Sequence, residues 1–384
     1  MTKLLKFTVF LTLILLFFTP VSAEVYWGDI HVHTSYSSDA YMHGSIAIPD
    51  DVCSAAKNNG LNFAAVTDHA EYNPATGRMS EYFWNDTVAQ LQNGNCIETS
   101  TFIPFLGYEW TNQTYGHKSV IFRILDIPFS AVFGAKHYTT PDALWSALDS
   151  SGYKAITIPH HVADNNTAAT NWDYHNPYYQ PVMEIYSEHG SSESCRLNYE
   201  LPVSCNSNGS AAYALATKGY KIGIIAGTDA HDGRAGSVYN ADSVMSRIQY
   251  NGGLIAVITS SLSRANIWEA IKNRHTYATS GPKIILSFNI NGNKMGSDVI
   301  LASGEYPALE ISAQGADSSL IDHIDIIKNG SSVTPVHTQT FSQNAVSYSW
   351  TDADYISGDF YYVRVIQRNN ERAWSSPIWV TTQQ

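Results

Sequence analysis

The fold is decided by the stretch Val25-Tyr-Trp-Gly-Asp-Ile-His31-Val-His33, which predicts a short strand ending in two histidines. Side chains alternate along a strand, so His31 and His33 are expected on the same side of it, where two imidazole nitrogens can hold one metal ion. A single His-x-His pair is weak evidence, because surface or core histidines without a ligand explain it equally well.

The same pattern recurs along the chain. Apolar runs at residues 61–66, 101–106, 153–158, 181–185 and 221–226 each predict a buried strand that is followed by ionisable side chains. In chain order, these side chains are His69, Glu109, His160 with His161, Glu188 with His189, and Asp229 with His231. In a barrel of parallel strands the carboxyl ends share one rim, where such folds keep their active sites. Ligands that are distant in sequence are therefore expected to converge.

Helix-like stretches separate these runs, which predicts an α/β domain with parallel strands. The helices are expected at residues 49–59, 141–150, 209–218 and 263–273, and a further strand at residues 254–258. This alternation ends near residue 282, so we assign residues 24–282 to the first domain.

After residue 282 the chain contains short alternating segments at 284–290, 308–313, 323–327 and 360–366, separated by Asn, Gly and Ser turns. This pattern predicts a small all-β, sandwich-like module over residues 283–384. Of the 14 histidines, only His323 and His337 lie beyond residue 282, which assigns the chemistry to the first domain.

The amino terminus has the layout of a cleavable signal peptide over residues 1–23. Lys3 and Lys6 precede an apolar run at residues 7–18, and small residues follow at 21–23. A membrane anchor is the alternative, but a span needs about 20 apolar residues, and neither this run nor a later one is long enough. We expect a secreted or periplasmic protein.

Export agrees with the cysteines. Cys53, Cys96, Cys195 and Cys205 are even in number and form no Cys-x-x-Cys metal pair, so disulfides are permitted. Their short separation favours the pairing of Cys195 with Cys205. Four unpaired thiols remain the alternative.

The charge argues against a nucleic-acid partner. The formal net charge is −12, and removal of Lys3 and Lys6 makes the chain two units more negative. Proteins that grip nucleic acid use a basic surface, and the sequence contains no cluster of Lys and Arg. Bound divalent cations would still make a pocket locally positive, so a small anionic substrate is compatible with this composition.

The residue types at the predicted strand ends point to metal chemistry. Several buried ionisable groups are costly unless a metal or a partner compensates them. Mixed imidazole and carboxylate ligands suit Zn, Mn or Fe ions better than Ca²⁺, which prefers oxygen. Because the ligands outnumber what one tetrahedral ion requires, we expect two or three divalent metal ions.

The successive motifs resemble those of the PHP (polymerase and histidinol phosphatase) superfamily, and in particular a PHP-like branch of unknown function. The resemblance covers roughly residues 24–282 and leaves the β module aside. It rests on His31-Val-His33 with Asp39, Thr67-Asp68-His69, Glu109, Pro159-His160 and Asp229-Ala-His231.

This resemblance implies a distorted, TIM-like (β/α)7 barrel that binds two or three divalent metals and hydrolyses phosphoesters. The ligands that it implies are His31, His33, Asp39, His69, Glu109, His160, Asp229 and His231. A further ligand histidine has no secure counterpart, and His189, beside Glu188, is the candidate. His161 leaves the choice at the His160 motif open.

The chemistry of these and neighbouring residues suggests roles within the site. Glu109 would bridge two metal ions, and Asp229 or a nearby histidine would accept a proton. Asp68 would orient a ligand imidazole. Arg234 is a candidate phosphate clamp, with a surface salt bridge as the alternative. His117 is either near the substrate or an ordinary histidine at a strand start.

Three functions remain open on the sequence. The first is an exported phosphoesterase that acts on a small or medium phosphorylated substrate. The second is an amidohydrolase-like metal hydrolase, although no lysine ends a middle strand as that family often requires. The third is a binding protein without catalysis, whose metal site would be closed by protein ligands.

Overall fold

The computed structural model describes residues 24–237, 250–330 and 333–383. The proposed signal peptide at residues 1–23 lies outside these ranges. Within them, every helix is too short or too polar to cross a lipid bilayer.

The first part of the chain contains ten strands and five α-helices in its described residues. The strands are β1 (Glu24–Asp29), β2 (Phe63–Val66), β3 (Ile103–Trp110), β4 (Lys118–Phe122), β5 (Ala155–Pro159), β6 (Val182–Ser187), β7 (Gly190–Ser191), β8 (Gly223–Ala226), β9 (Leu254–Thr259) and β10 (Thr276–Thr279). The helices are α1 (Ser38–Met42), α2 (Pro49–Asn58), α3 (Glu81–Leu91), α4 (Pro141–Ser151) and α5 (Arg264–Lys272).

Local sequence signals account for the helix ends. In α4 the Thr140 side chain accepts a hydrogen bond from the amide of Ala143, Pro141 occupies the first turn, and Gly152 ends the helix with φ 73°. In α5 the Ser263 side chain caps the amide of Asn266 in the same way.

Three of the four predicted helices are confirmed, as α2, α4 and α5. The expected helix at 209–218 contains a π-helical turn at Tyr213–Thr217 instead.

The sheet brings the predicted strand ends to one side of the molecule. Strands β1, β2 and β3 are parallel neighbours, β4 is antiparallel to β3, and β5 is antiparallel to β4. Parallel strands β6 and β8 form a separate sheet with β7. A parallel bridge between Val32 and Ala230 joins the chain after β1 to the chain after β8.

The fold is mixed α/β with large sheets and few helices, and a closed (β/α)7 barrel is not confirmed. Strand β4 interrupts the parallel order, and β9 runs antiparallel to β1 on its other edge. The expectation that all apolar runs form parallel strands was therefore wrong for residues 254–258. The hydrogen-bonded ladder also ends at β5, because β6 belongs to the other sheet.

The C-terminal residues form strands and, in their described part, no α-helix. The strands are β11 (Ile285–Ile290), β12 (Asn293–Lys294), β13 (Asp298–Leu301), β14 (Ala308–Gln314), β15 (Ile321–Lys328), β16 (His337–Thr340), β17 (Ala345–Thr351), β18 (Phe360–Gln367), β19 (Arg372–Ser375) and β20 (Ile378–Thr382). A four-stranded sheet, β12-β11-β14-β17, faces a second group around β18. Phe288 and Ile311 from the first and Ile326 and Val365 from the second belong to one hydrophobic cluster, as a sandwich requires.

The two parts share a sheet. Strand β10 pairs antiparallel with β19, so that Tyr277 lies opposite Ser375 and Thr279 opposite Ala373. The boundary at residue 282 is thus a change in sequence pattern, across which the hydrogen-bonded ladder continues.

Both pairs of cysteines are disulfide-bonded. The predicted Cys195–Cys205 bridge is confirmed, and Cys53–Cys96 forms the second bridge, from α2 to the turn Gly94–Cys96. Such bonds form and persist in oxidising compartments.

Candidate metal centre

The ends of six strands place ionisable side chains in one buried cluster beside a cavity of about 180 Å³. Strands β1, β2, β3, β5, β6 and β8 contribute to it. The cavity is lined by Asp39, His69, Glu109, His117, His161, Thr167, Glu188, His189, Asp229 and His231. The sequence-based expectation of convergence at one rim is met.

Asp229 follows β8 in a left-handed conformation, with φ 63°, that few residues other than glycine adopt. Its amide donates to the carbonyl of His31 at 2.9 Å, which fixes the turn against β1. Its Oδ1 lies 3.1 Å from His31 Nε2 and 3.3 Å from His33 Nε2, and its Oδ2 lies 3.2 Å from His189 Nε2. One carboxylate thus faces three imidazoles.

Glu109 lies inside β3 and is the second carboxylate that faces several imidazoles. Its Oε2 is 3.2 Å from His33 Nε2 and 3.5 Å from the Nε2 atoms of His31 and His160. Its Oε1 is 2.9 Å from Nδ1 of His117. Glu109 and Asp229 therefore face His31 and His33 together, which is the placement expected of a bridging carboxylate.

A third grouping lies nearer to solvent, around Asp39 on α1. Its Oδ2 is 2.9 Å from His69 Nε2 and 3.3 Å from His231 Nε2. His33, His69 and His231 bring their nitrogens within 4.8 Å of one another. This group and those around Glu109 and Asp229 share members, which suits neighbouring ions rather than one.

The cluster passes a test of fit for metal ions. The Nε2 atoms of His31, His33 and His160 are buried and make no hydrogen bond among the described residues, although carboxylate oxygens lie nearby. An unbonded buried nitrogen is costly in a protein interior, and a metal ion would satisfy it. Imidazole nitrogens with carboxylate oxygens are also the donor set that Zn, Mn and Fe ions accept.

The opposite nitrogen of each of these three rings is held by the protein. Nδ1 of His31 lies 2.9 Å from Glu184 Oε2, and Nδ1 of His160 lies 3.0 Å from Ser119 Oγ. Nδ1 of His33 lies 2.9 Å from Ser37 Oγ. Such partners fix the tautomer and orientation of metal-binding histidines.

Asp68 does not contact these imidazoles through its side chain but binds the residues that orient one of them. Its Oδ1 accepts a hydrogen bond from Ser37 Oγ at 2.9 Å, and its Oδ2 accepts one from Thr34 Oγ1 at 2.8 Å. Asp68 therefore holds the loop that positions His33, in agreement with the orienting role expected of it.

The electrostatics show protons and cations competing for the same nitrogens. Burial alone would lower the pKa of His31, but the carboxylates of Asp229 and Glu184 raise it well above its ordinary value. Burial would likewise lower the pKa of His69, yet Asp39 and Glu109 raise it. In the absence of a metal ion these imidazoles hold protons that a cation must displace.

Two other imidazoles stay neutral. Burial and the neighbouring His31 lower the pKa of His160 to about 3. Burial and His160 hold the pKa of His161 well below its ordinary value.

The carboxylate of Glu109 is ionised. Burial would raise its pKa, but His69 and His160 keep that pKa well below the usual range.

Arg234 is placed differently from the other predicted site residues. Its guanidinium lies 2.6 Å from Asp232 Oδ2, and 42% of its side chain is exposed. It does not line the cavity, so the structure supports the salt bridge that was its alternative role. All nine predicted metal ligands lie in the cluster.

Sequence reasoning missed the residues that orient the ligand imidazoles, such as Glu184 and Asp164, and left others undecided. Glu184 lies within the apolar run at 181–185, where a lone carboxylate in a buried strand was the overlooked signal. His161 and His117 both line the cavity, which settles their location beside the site. His189 lies 2.9 Å from Asp164 Oδ2 through its Nδ1, so that its Nε2 faces Asp229.

The sequence matches the profile of a family described as a protein of unknown function (DUF3604), over residues 20–83, 73–197 and 237–298. Two relatives are uncharacterized proteins. One, from Chlamydia pneumoniae, is 35% identical over 77% of this chain and 48% of its own length. The other, from Chlamydia muridarum, is 28% identical over 94% of this chain and 58% of its own length. The chain thus spans about half the length of the curated relatives it matches.

Among solved structures, a two-domain protein from Bacteroides vulgatus is similar at a TM-score of 0.47 and 12% identity. The similarity covers 89% of this chain and 90% of that one. That protein is described as containing a predicted PHP-like metal-dependent phosphoesterase.

Proposed function

The chain belongs to the DUF3604 family of proteins of unknown function, and from its buried histidine and carboxylate cluster we propose that it is an exported, metal-dependent phosphoesterase. Its membership of the PHP superfamily is part of this proposal. We expect two or three divalent ions, of Zn, Mn or Fe, and a small or medium phosphorylated substrate.

One observation carries the proposal. The Nε2 atoms of His31, His33 and His160 point without hydrogen bonds at the carboxylates of Glu109 and Asp229, beside an open cavity. Neighbouring divalent ions held there would supply an activated water and neutralise charge on a phosphoryl group. Overlapping ligand groups that share Glu109 and Asp229 suit this chemistry better than an isolated tetrahedral site does.

The protein residues would have two further roles, which are to orient the imidazoles and to accept a proton. Glu184, Ser37 and Ser119 keep three imidazoles oriented through their Nδ1 atoms. Burial would raise the pKa of Asp229, but His31 and His189 hold it well below the usual range, which favours a ligand role for this carboxylate. Of the two proton acceptors considered, Asp229 and a nearby histidine, the low pKa of Asp229 therefore disfavours the first. Burial would lower the pKa of His189, but Asp164 and Asp229 raise it well above its ordinary value, so this imidazole holds a proton and is not the acceptor that we favour.

The open cavity favours an enzyme over a binding protein with a structural metal. A structural site is closed by protein ligands, whereas here Asp39, His69, His189 and His231 line a space that can admit a substrate. No observation on the described residues favours amidohydrolase chemistry in the same way.

Export is supported by the two disulfides, since such bonds are rare in reducing compartments. The acidic net charge of −12 supports a small substrate rather than a nucleic acid.

The decisive experiment combines metal analysis with hydrolysis of a generic phosphomonoester and a generic phosphodiester. We expect the purified protein to contain divalent metal and to hydrolyse at least one of the two. His33→Ala should lower kcat/KM more than about 100-fold, because loss of an outer partner alone typically costs roughly 10- to 100-fold. His137→Ala is the matched control, as His137 is exposed and lies outside the cluster. Bound metal without hydrolysis of either ester would refute the phosphoesterase.

A further inference from the structure

A second pocket adjoins the metal centre on the side of the loop between β5 and β6. It has a volume of about 370 Å³ and is formed by residues 113–114, 165, 167–173, 206 and 208, with Tyr213. We call it the amide pocket, because four asparagines, one glutamine and three threonines dominate its lining. Ligand pockets typically measure roughly 300–1,000 Å³, so this space suits a small molecule or part of one.

The amide pocket and the metal centre are neighbours that share one lining residue. Thr167 lines both cavities, and its Oγ1 lies 3.1 Å from Nδ1 of His161. Gln113 lines the amide pocket, and its Nε2 lies 3.1 Å from Nε2 of His117 at the metal centre. A ligand that occupies both cavities would therefore pass Thr167 and Gln113.

The chemistry of the lining selects an uncharged ligand. Among the described residues that line the pocket, none is Lys, Arg or His. The single carboxylate, that of Asp173, is paired with Lys218 at 2.5 Å. The pocket thus offers no cation for a second anionic group, while the adjacent metal centre is built for one.

Several polar groups in the lining lack a protein partner. Among the described residues, the side chain of Asn208 makes no hydrogen bond, and Asn165 and Asn171 use only their Oδ1 atoms. Thr170 is 3% exposed, and its hydroxyl is buried without a partner. Amides and hydroxyls both donate and accept, as the hydroxyl groups of a sugar do.

The lining offers a nucleobase at most one aromatic ring to stack on. Two aromatic side chains line the pocket. Tyr213 is half-buried, whereas Trp172 is 1% exposed and donates its Nε1 hydrogen to the carbonyl of Gly209. Its ring is therefore not available as a stacking surface, on which single bases usually depend.

The walls of the pocket are fixed before any ligand binds. The amide of Asn165 donates to Ser204 at 2.8 Å, and that of Asn206 donates to Ala163 at 2.7 Å. The Cys195–Cys205 disulfide anchors the second of these two segments. Such preorganisation lowers the entropic cost of binding.

We propose that the amide pocket binds the sugar part of a sugar phosphate ester whose phosphate occupies the metal centre. The substrate class rests on the phosphoesterase function proposed above, whereas binding of a neutral sugar to this pocket does not.

The binding test uses the full chain with methyl β-glucoside as the probe, and saturation-transfer NMR detects the binding. We expect binding to the wild type, and in Asn165→Ala/Asn208→Ala a weakening of about tenfold, which corresponds to about 1.4 kcal/mol. Asn166→Ala is the control, since Asn166 is an exposed neighbour that does not line the pocket, and it should bind as the wild type does. Circular dichroism verifies that each variant is folded.

A kinetic test compares glucose 6-phosphate with ethyl phosphate, which carries the same charge without the sugar. We expect kcat/KM to be higher for the sugar ester by about tenfold or more, and the double variant to lose this preference. The sugar assignment is overturned if no glycoside binds, if binding survives in the folded double variant, or if uridine binds in place of the glucoside. Glycoside binding without hydrolysis of any ester would uphold the pocket and refute the phosphoesterase instead.

Discussion

Glu184 shows how much a single buried carboxylate contributes to the centre. It lies in the middle of β6, 2% exposed, and its Oε2 accepts from Nδ1 of His31 while its Oε1 faces the amide of His161 at 3.3 Å. A carboxylate in this position strengthens the partner imidazole as a metal ligand and fixes the nitrogen that faces the ion.

Glu184→Gln should therefore weaken metal binding by roughly 10- to 100-fold, because the shape is retained while the negative charge is lost. Competition with a chelator of known affinity measures the effect. Glu269→Gln, an exposed substitution on α5, is the control and should leave the affinity unchanged. Equal affinities for the two variants would show that Glu184 serves the fold and not the metal.

The raised pKa values of His31 and His69 predict a specific pH dependence. Burial opposes protonation of both rings, but a nearby carboxylate outweighs it, that of Asp229 for His31 and that of Asp39 for His69. Both imidazoles therefore stay protonated at pH values above the ordinary pKa of histidine. A metal ion must displace those protons, so its apparent affinity should rise with pH through and above neutrality, and binding should release protons.

Calorimetric titration of one metal in two buffers of different ionisation enthalpy counts the released protons. His160, whose pKa falls to about 3, should contribute none of them. An affinity that stays constant between acidic and mildly alkaline pH would contradict this account.

The sequence predicted the residues of the site better than their contacts. His31, His69, His160 and Asp229 were identifiable because each follows an apolar run whose end faces the common rim. Glu184 was not, since it interrupts a strand instead of following one. Partners such as Ser119 depend on the antiparallel pairing of β3, β4 and β5, which periodicity alone does not reveal.

At the level of elements, each predicted apolar run forms a strand, but other strands, such as β10 and β17, and the strand directions were not predicted. Apolar runs mark buried strands whatever their direction, so residues 254–258 predicted β9 correctly but not its antiparallel pairing with β1. The short helix α1, which carries Asp39, and helix α3 were not predicted. Five residues are too few for a periodic pattern, which explains the first omission.

The two disulfides should differ in their effects on stability and on the site. Cys53–Cys96 closes a separation of 43 residues, and Cys195–Cys205 one of 10. If loop entropy governs their effects, replacing each pair by serine should lower the free energy of unfolding by about 4 and about 3 kcal/mol, respectively.

The shorter bridge should matter more for metal binding. The backbone of Cys205 pairs with that of Asp164 in an isolated antiparallel β-bridge. The Asp164 side chain in turn holds His189 at the metal centre. Denaturant unfolding combined with metal titration of the two double variants tests both claims. A larger loss of metal affinity in the Cys53→Ser/Cys96→Ser variant would contradict the assignment of the shorter bridge to the site.

At the scale of the whole molecule, a buried ionic network joins the two parts of the chain. Glu193, 1% exposed, accepts hydrogen bonds from Arg364 at 2.9 Å, Tyr362 at 2.8 Å and Trp374 Nε1 at 2.7 Å. Arg364 in turn donates to Asp325 at 2.7 Å. Glu193 belongs to the first part, and its four partners in this network include three from the β module and Tyr199.

Glu193→Ala should lower the free energy of unfolding by about 3–5 kcal/mol, because the guanidinium of Arg364 would lose one of its two buried carboxylates. Equilibrium denaturation followed by tryptophan fluorescence measures the change. Glu310→Ala, an exposed substitution on β14, is the matched control. A loss no larger than that of the control would mean that the interface tolerates an unpaired charge.

The same interface bears on whether residues 24–282 form an independent domain. Strand β10 has β9 on one edge and β19 on the other, and removal of the β module would expose that second edge. It would also remove Arg364 and Trp374 from the carboxylate of Glu193.

A fragment of residues 24–282 should therefore be aggregated or only partly folded, because an unpaired strand edge favours association and the loss of the Glu193 network weakens the fold. Size-exclusion chromatography and near-ultraviolet circular dichroism, with residues 24–384 as the control, measure the outcome. A monomeric fragment that binds metal as tightly as the longer chain would establish the independent domain and reduce the shared sheet to a contact surface.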